Sequence, residues 1–96
     1  MGDIRISARP TMTANAESFF LVIDDEIHDL TAADAVATLA PGEHSISAIL
    51  TRKDGETGAV FGEVSISDDE NMLIDSIAVE VADWGDINRT KKTITV

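Results

Sequence analysis

Ninety-six residues carry 18 acidic and 7 basic side chains, a net charge of −11, and no cysteine. That length fits one domain spanning residues 1–96 around one modest core, and the missing thiols exclude disulfides and thiolate metal sites. A surface this acidic repels phosphate backbones and anionic lipid, so no direct nucleic-acid binding is expected, and no run reaches the ~18–20 apolar residues that membrane insertion as a helix requires.

Residues 3–7 alternate, with Ile4 and Ile6 on one face, and predict a first strand. Met1-Gly2 leads straight into it without an apolar leader. Such a start suits an intracellular product, a virion component, or a segment of a longer exported protein. Arg9-Pro10-Thr11 is expected to end the strand, because proline removes a backbone donor. In residues 18–23, Phe19, Leu21 and Ile23 share one face and Phe20 and Val22 the other, so the second strand is expected to be covered on both sides. Asp24-Asp25 is a tight acidic turn, and residues 26–30 return as a short strand.

Residues 31–39 have two readings. One is a short helix, with Thr31 as cap, Asp34 three positions on and alanines that favour the helical state. The other is a loop followed by a strand at 36–39. Pro41-Gly42 then turns the chain into a strand with His44, Ile46, Ala48 and Leu50 on one face. Asp54-Gly55, with Gly58 just beyond, reads as a hairpin turn, after which Val60, Gly62, Val64 and Ile66 repeat the alternation. A polar turn at 67–71 leads into residues 72–82, where Ile77, Val79 and Val81 share a face. Asp75 interrupts that face and predicts a bulge or a change of sheet. Gly85-Asp86 turns the chain again, and residues 93–96 close it with Ile94 and Val96 inward. Six to eight short strands with a turn every ten residues or so make an all-β sandwich or a small barrel.

The segment Val36-x-x-Leu39-x-Pro41-Gly42-x-His44-x-Ile46-x-Ala48, followed by Asp54-Gly55-x-x-Gly58 and Val64-x-Ile66, resembles bacterial immunoglobulin-like domains across roughly residues 19–66. The Leu39-x-Pro41-Gly42-x-His44 strand is also similar to transthyretin-like and fimbrillin-like sandwiches, and Val79-x-Val81-x-x-Trp84-Gly85 to fimbrillin-type chains. The resemblance implies an immunoglobulin-like antiparallel β-sandwich of about seven strands. It further implies a non-enzymatic display or adhesion module of a bacterial surface or phage virion protein, with a protein or glycan partner. Arg52-Lys53 stands where those modules carry an acid before the hairpin, a departure from their calcium loop. The chain also has no cysteine pair of the antibody type.

The residues themselves carry little catalytic promise. His28 and His44 are the only histidines and no Gly-x-Ser-x-Gly elbow accompanies them, so no enzymatic activity is expected. Asp24, Asp25 and His28 lie close in sequence, and so do Asp68, Asp69, Glu70 and Asn71; hard oxygen ligands in such turns suit calcium, the turn from Asp68 to Asn71 being the better candidate, although EF-hand spacing is absent. Acidic turns are far more often just solvated, because Asp and Asn bond their own backbone there, and no cofactor is expected. Trp84, between Asp83 and Gly85, either plugs the end of the sandwich or stacks on a sugar or anchors a partner. Binding is therefore assigned to Trp84, Asp24, Asp25, Glu26, Asp68, Asp69 and Glu70. An alternative uses the charge differently. Carboxylates at Glu17, Asp24, Asp25, Glu26, Asp68, Asp69, Glu70, Glu80 and Asp83 mimic a phosphate array, as in a small phage-type inhibitor acting in the cytoplasm on the basic groove of a nuclease or interference complex. Like charges that keep sheet edges apart explain the same residues more simply. Donation of the last strand to a neighbour would make a homo-oligomer.

Overall fold

Alternating apolar side chains become one dry layer when two sheets close over them, and that is how this chain is built. A computed structural model describes residues 2–96, with Met1 outside them. It contains eight strands: β1 (Ile4–Met12), β2 (Ala16–Ile23), β3 (Glu26–Asp29), β4 (Ala35–Leu39), β5 (Glu43–Arg52), β6 (Val60–Asp68), β7 (Leu73–Val81) and β8 (Ile87–Thr95). One antiparallel sheet has the order β4-β1-β6-β7 and the other β3-β2-β5-β8. The described residues form no helix.

The inward positions are those set by period two. Ile6 and Ala8 of β1, Val60, Val64 and Ile66 of β6, and Ile77, Val79 and Val81 of β7 face Phe19, Leu21 and Ile23 of β2 and Ile46, Ala48 and Leu50 of β5, all buried. Among the described residues no polar or charged residue is buried, so burial of apolar surface holds the two sheets together, at about 1.5–3 kcal/mol for each fully buried large side chain. The tightest approach is at Gly62. A Cβ there would lie 2.9 Å from the Phe19 ring and 3.3 Å from Leu50 Cδ2. Phe19, wholly buried, fills the space a side chain at position 62 would need.

Several local expectations change. β1 does not stop at Pro10 but runs through it, paired with Val64. Thr13 N donates to Phe61 O, so by alternation the odd-numbered residues of β1 bond to β6. The Pro10 nitrogen faces the other side, where β4 pairs only as far as Ala8, and its missing proton costs the ladder nothing. Residues 31–39 hold no helix; a loop precedes β4, which pairs along β1. Nine residues make a marginal helix, whereas Ala35–Leu39 here covers the edge of a sheet. Thr31 does not cap: its Oγ1 accepts from Phe19 N, while Thr31 N donates to Asp29 Oδ1. Asp54-Gly55 does not close a hairpin either, since β5 and β6 lie in different sheets. A loop over residues 53–59 crosses between the sheets, with Gly55 and Gly58 at φ +82° and +91°, and Asn15 Nδ2 latches it through Thr57 O and Ala59 O. The last strand is far longer than 93–96, starting at Ile87 and paired with β5 throughout.

The irregularity expected at Asp75 is present. Ile66 pairs with Asp75 and Ser67 with Leu73, leaving Ile74 as the extra residue of a bulge. Asp75 Oδ1 there accepts from Lys92 Nζ of β8 at 2.6 Å, and Lys92 Nζ also donates to Ser76 O. β7 and β8 are the long edges of the two sheets, so an inward-leaning pair of opposite charges joins them, a device that discourages edge-to-edge pairing.

Gly62→Ala is expected to lower stability in urea by about 1–3 kcal/mol through overpacking against the Phe19 ring. Adding Phe19→Leu should make the second substitution cheaper than it is alone, and strictly additive losses would contradict the contact.

Candidate functional site

Strand directions sort the loops into two groups. The β2–β3, β4–β5 and β6–β7 connections lie at one end of the sandwich, and the β1–β2, β5–β6 and β7–β8 connections at the other. Both acidic turns, Asp24-Asp25-Glu26 and Asp68-Asp69-Glu70, therefore share an end, and Trp84 is at the opposite one, in a body 49 Å long and 19 by 18 Å across.

At the acidic end, Asp24 and Asp25 form the two-residue turn between β2 and β3 with φ of +47° and +72°. Both values positive match the hairpin type that fits strand twist, usually made by Asn-Gly. Asp24 is anchored there by its carboxylate: Oδ1 accepts from Ser45 N at 3.1 Å and Oδ2 from His44 Nδ1. His44 Nε2 donates to Ala40 O at 2.6 Å. A carboxylate and a carbonyl oxygen only accept, so both ring nitrogens must carry protons and the clasp requires the imidazolium. The Asp24 bond, then the Ala40 bond, hold His44 above its ordinary pKa of 6.5. The His44 bond, helped by that from Ser45, holds Asp24 below 3.8.

Beside this clasp, a cleft of about 210 Å³ runs between the β3 and β4 edges, lined by Asp24, Glu26, His28 and His44 among others. His28 Nε2 is buried without a hydrogen-bond partner and stands 4.0 Å from Glu26 Oε1. Both histidines thus face one cleft, although no group of three or more His, Cys, Asp or Glu side chains suited to a metal ion occurs among the described residues. The second acidic turn serves itself. Asp68 Oδ1 accepts from Glu70 N and Met72 N, both at 2.9 Å, with Asn71 at φ +63°. This is the self-bonded turn that aspartate forms.

The tryptophan end is different in kind. Trp84 is 90% exposed and plugs nothing. Its loop is braced from below by Arg52 of β5: Nη2 donates to Ala82 O at 2.5 Å, Nη1 to Asp83 O at 3.0 Å, and Arg52 N to Asp86 O at 2.9 Å. Gly85 N closes the turn on Ala82 O. Ile87, 61% exposed, follows at the start of β8, and Trp84, Ile87, Asn88 and Glu80 line a depression of about 360 Å³. Glu80 also borders a second, shallow depression of about 520 Å³ on the outer face of the β4-β1-β6-β7 sheet, with Phe61, Glu63, Ala78 and Thr11. Phe61 is 51% exposed and pairs with Glu80 across β6 and β7.

The binding residues named from sequence are therefore split: six acids at one end, Trp84 at the other. Phe61, Glu80 and Ile87 complete the tryptophan end. Phe61 had a visible signal, a large aromatic at the odd position between inward Val60 and Gly62. Ile87 had none, because its strand reads as polar. No protein-family model, no curated protein and no solved structure matches the chain.

The clasp's contribution to stability should be complete below pH 6.5 and fade as pH rises through the raised His44 value; on the acid side it should fade as pH falls from 3.8 through the lowered Asp24 value. Asp24 is half exposed, so solvent screening keeps the effect small. Between about pH 6 and pH 9 the wild-type urea midpoint should fall further than that of His44→Gln. Parallel curves would contradict the clasp.

Proposed function

We propose that the chain is a non-enzymatic binding module that engages a macromolecular partner through its tryptophan end, in the manner of a display or adhesion domain of a cell-surface or virion protein. One observation carries this reading: a loop fixed by three bonds from Arg52 holds an indole 90% exposed to water. A tryptophan left in water on a rigid support forgoes the burial it would gain in the core, and recovers it when a partner covers it. Phe61 and Ile87 widen the apolar area around it. Rigid presentation also lowers the entropy lost on binding.

The immunoglobulin-like character of the sandwich belongs to the same proposal. Loop clusters at the two ends of paired antiparallel sheets suit such modules. In the constant-type immunoglobulin arrangement the first two strands are neighbours in one sheet, whereas here β1 and β2 are in opposite sheets, so the support is for the sandwich class more than for that topology. The nucleic-acid mimic draws less support. It needs carboxylates along one face, and its residues are divided between the ends, Asp24, Asp25, Glu26, Asp68, Asp69 and Glu70 at one and Glu80 and Asp83 at the other.

Wild-type protein and Trp84→Ala, each immobilised and exposed to glycans and to host proteins, give the test. The exposed position makes the substitution harmless to folding, and a central tryptophan typically contributes at least about 2 kcal/mol, so affinity for whatever the wild type retains should drop roughly 30-fold. Undiminished retention by Trp84→Ala would contradict the assignment.

A further inference from the structure

The side chains around Trp84 specify what kind of partner suits it. Glu80 and Glu63 are the ionisable side chains lining the two depressions, and Asp83 and Asp86 lie in the same loop as the indole. None of these four carboxylates takes part in an ion pair among the described residues. Arg52 is engaged by the carbonyls of Ala82 and Asp83. Two exposed aromatic rings, Trp84 and Phe61, thus stand on either side of Glu80, where the four carboxylates outnumber the neighbouring cations Arg52 and Lys53, both of which keep their charge.

Building on the binding-module reading, we propose that the tryptophan end docks a basic, arginine-bearing protein segment. A guanidinium stacks on an indole or phenyl face through cation–π attraction and bonds a carboxylate with two parallel N–H groups, which is the combination this surface offers. Two rings flanking a carboxylate suit two basic side chains of one extended segment. The net charge of −11 draws such a segment in from a distance. A neutral glycan would use the indole face alone and gain nothing from the charge. The acidic end offers less, because its Asp24 and Asp68 carboxylates are already bonded to His44 and to their own turns, and it shows no exposed aromatic ring among the described residues.

Trp84 is the chain's single tryptophan, so its emission reports this site alone. Titrating the full chain with a hexa-arginine peptide should give a saturable change in that emission that weakens as salt is added. Glu80→Gln/Asp83→Asn/Asp86→Asn should weaken binding at least about tenfold, whereas Asp25→Asn/Asp69→Asn/Glu70→Gln, which removes as many charges from the far end, should leave it within about twofold. Emission indifferent to the peptide, equal losses in both triple variants, or a response to neutral chitotriose but not to the peptide would each overturn the proposal. If the peptide fails while Trp84→Ala still releases the retained partner, only the basic-segment assignment falls. If Trp84→Ala releases nothing, the binding-module reading falls with it.

Discussion

The contact between the Phe19 ring and the bare backbone of Gly62 sets the terms for everything else in this fold. It joins the middle of one sheet to the middle of the other across an interior in which, among the described residues, no polar or charged residue is buried. A dry interior of this kind has no hydrogen bonds to specify its register, so shape must do it: a large ring on β2 fits only where β6 omits a side chain. Leu50 closes the same space from β5. Once that layer is in place, the inward parity of both sheets follows, and so does the outward parity that exposes Phe61 and Glu80.

Polar chemistry is therefore confined to the rim. At one long edge Lys92 and Asp75 lean inward and neutralise each other across the two sheets. At the acidic end His44 ties the β2–β3 turn to the β4–β5 turn. At the tryptophan end Arg52 and Asn15 hold the crossing loops. Each of these groups bonds mostly to backbone carbonyls or to a single opposite charge, so each fixes a turn without placing charge in the core. The carboxylates without an ion pair remain at the surface, where like charges oppose edge-to-edge pairing of sheets.

Much of this layering was legible in the residues. Phe19, Leu21 and Ile23, or Val60, Gly62, Val64 and Ile66, announce their face by alternation alone, and Asp75 announces its bulge. Sheet membership was not legible: Asp54-Gly55 has the same local chemistry whether it closes a hairpin or crosses between layers. Pro10 hides its acceptability because that depends on where β4 ends, a tertiary fact. β8 is obscured because an edge strand can turn Asn88, Thr90 and Lys92 toward the rim of the core, which erases the apolar signal. For the site, Trp84 was visible as a residue but not as an exposed one. The gathering of two distant acidic turns at one end depends on strand direction in both sheets, which no local pattern contains.

Closure of the two sheets over Phe19 and Gly62 has a direct spectroscopic measure. In a nuclear Overhauser spectrum of the full chain, the Phe19 ring protons should show strong cross-peaks to the Gly62 α-protons and to a Leu50 methyl. Absence of those cross-peaks in a folded sample, with Gly62 α-protons at coil positions, would contradict the packing from which the rest is argued.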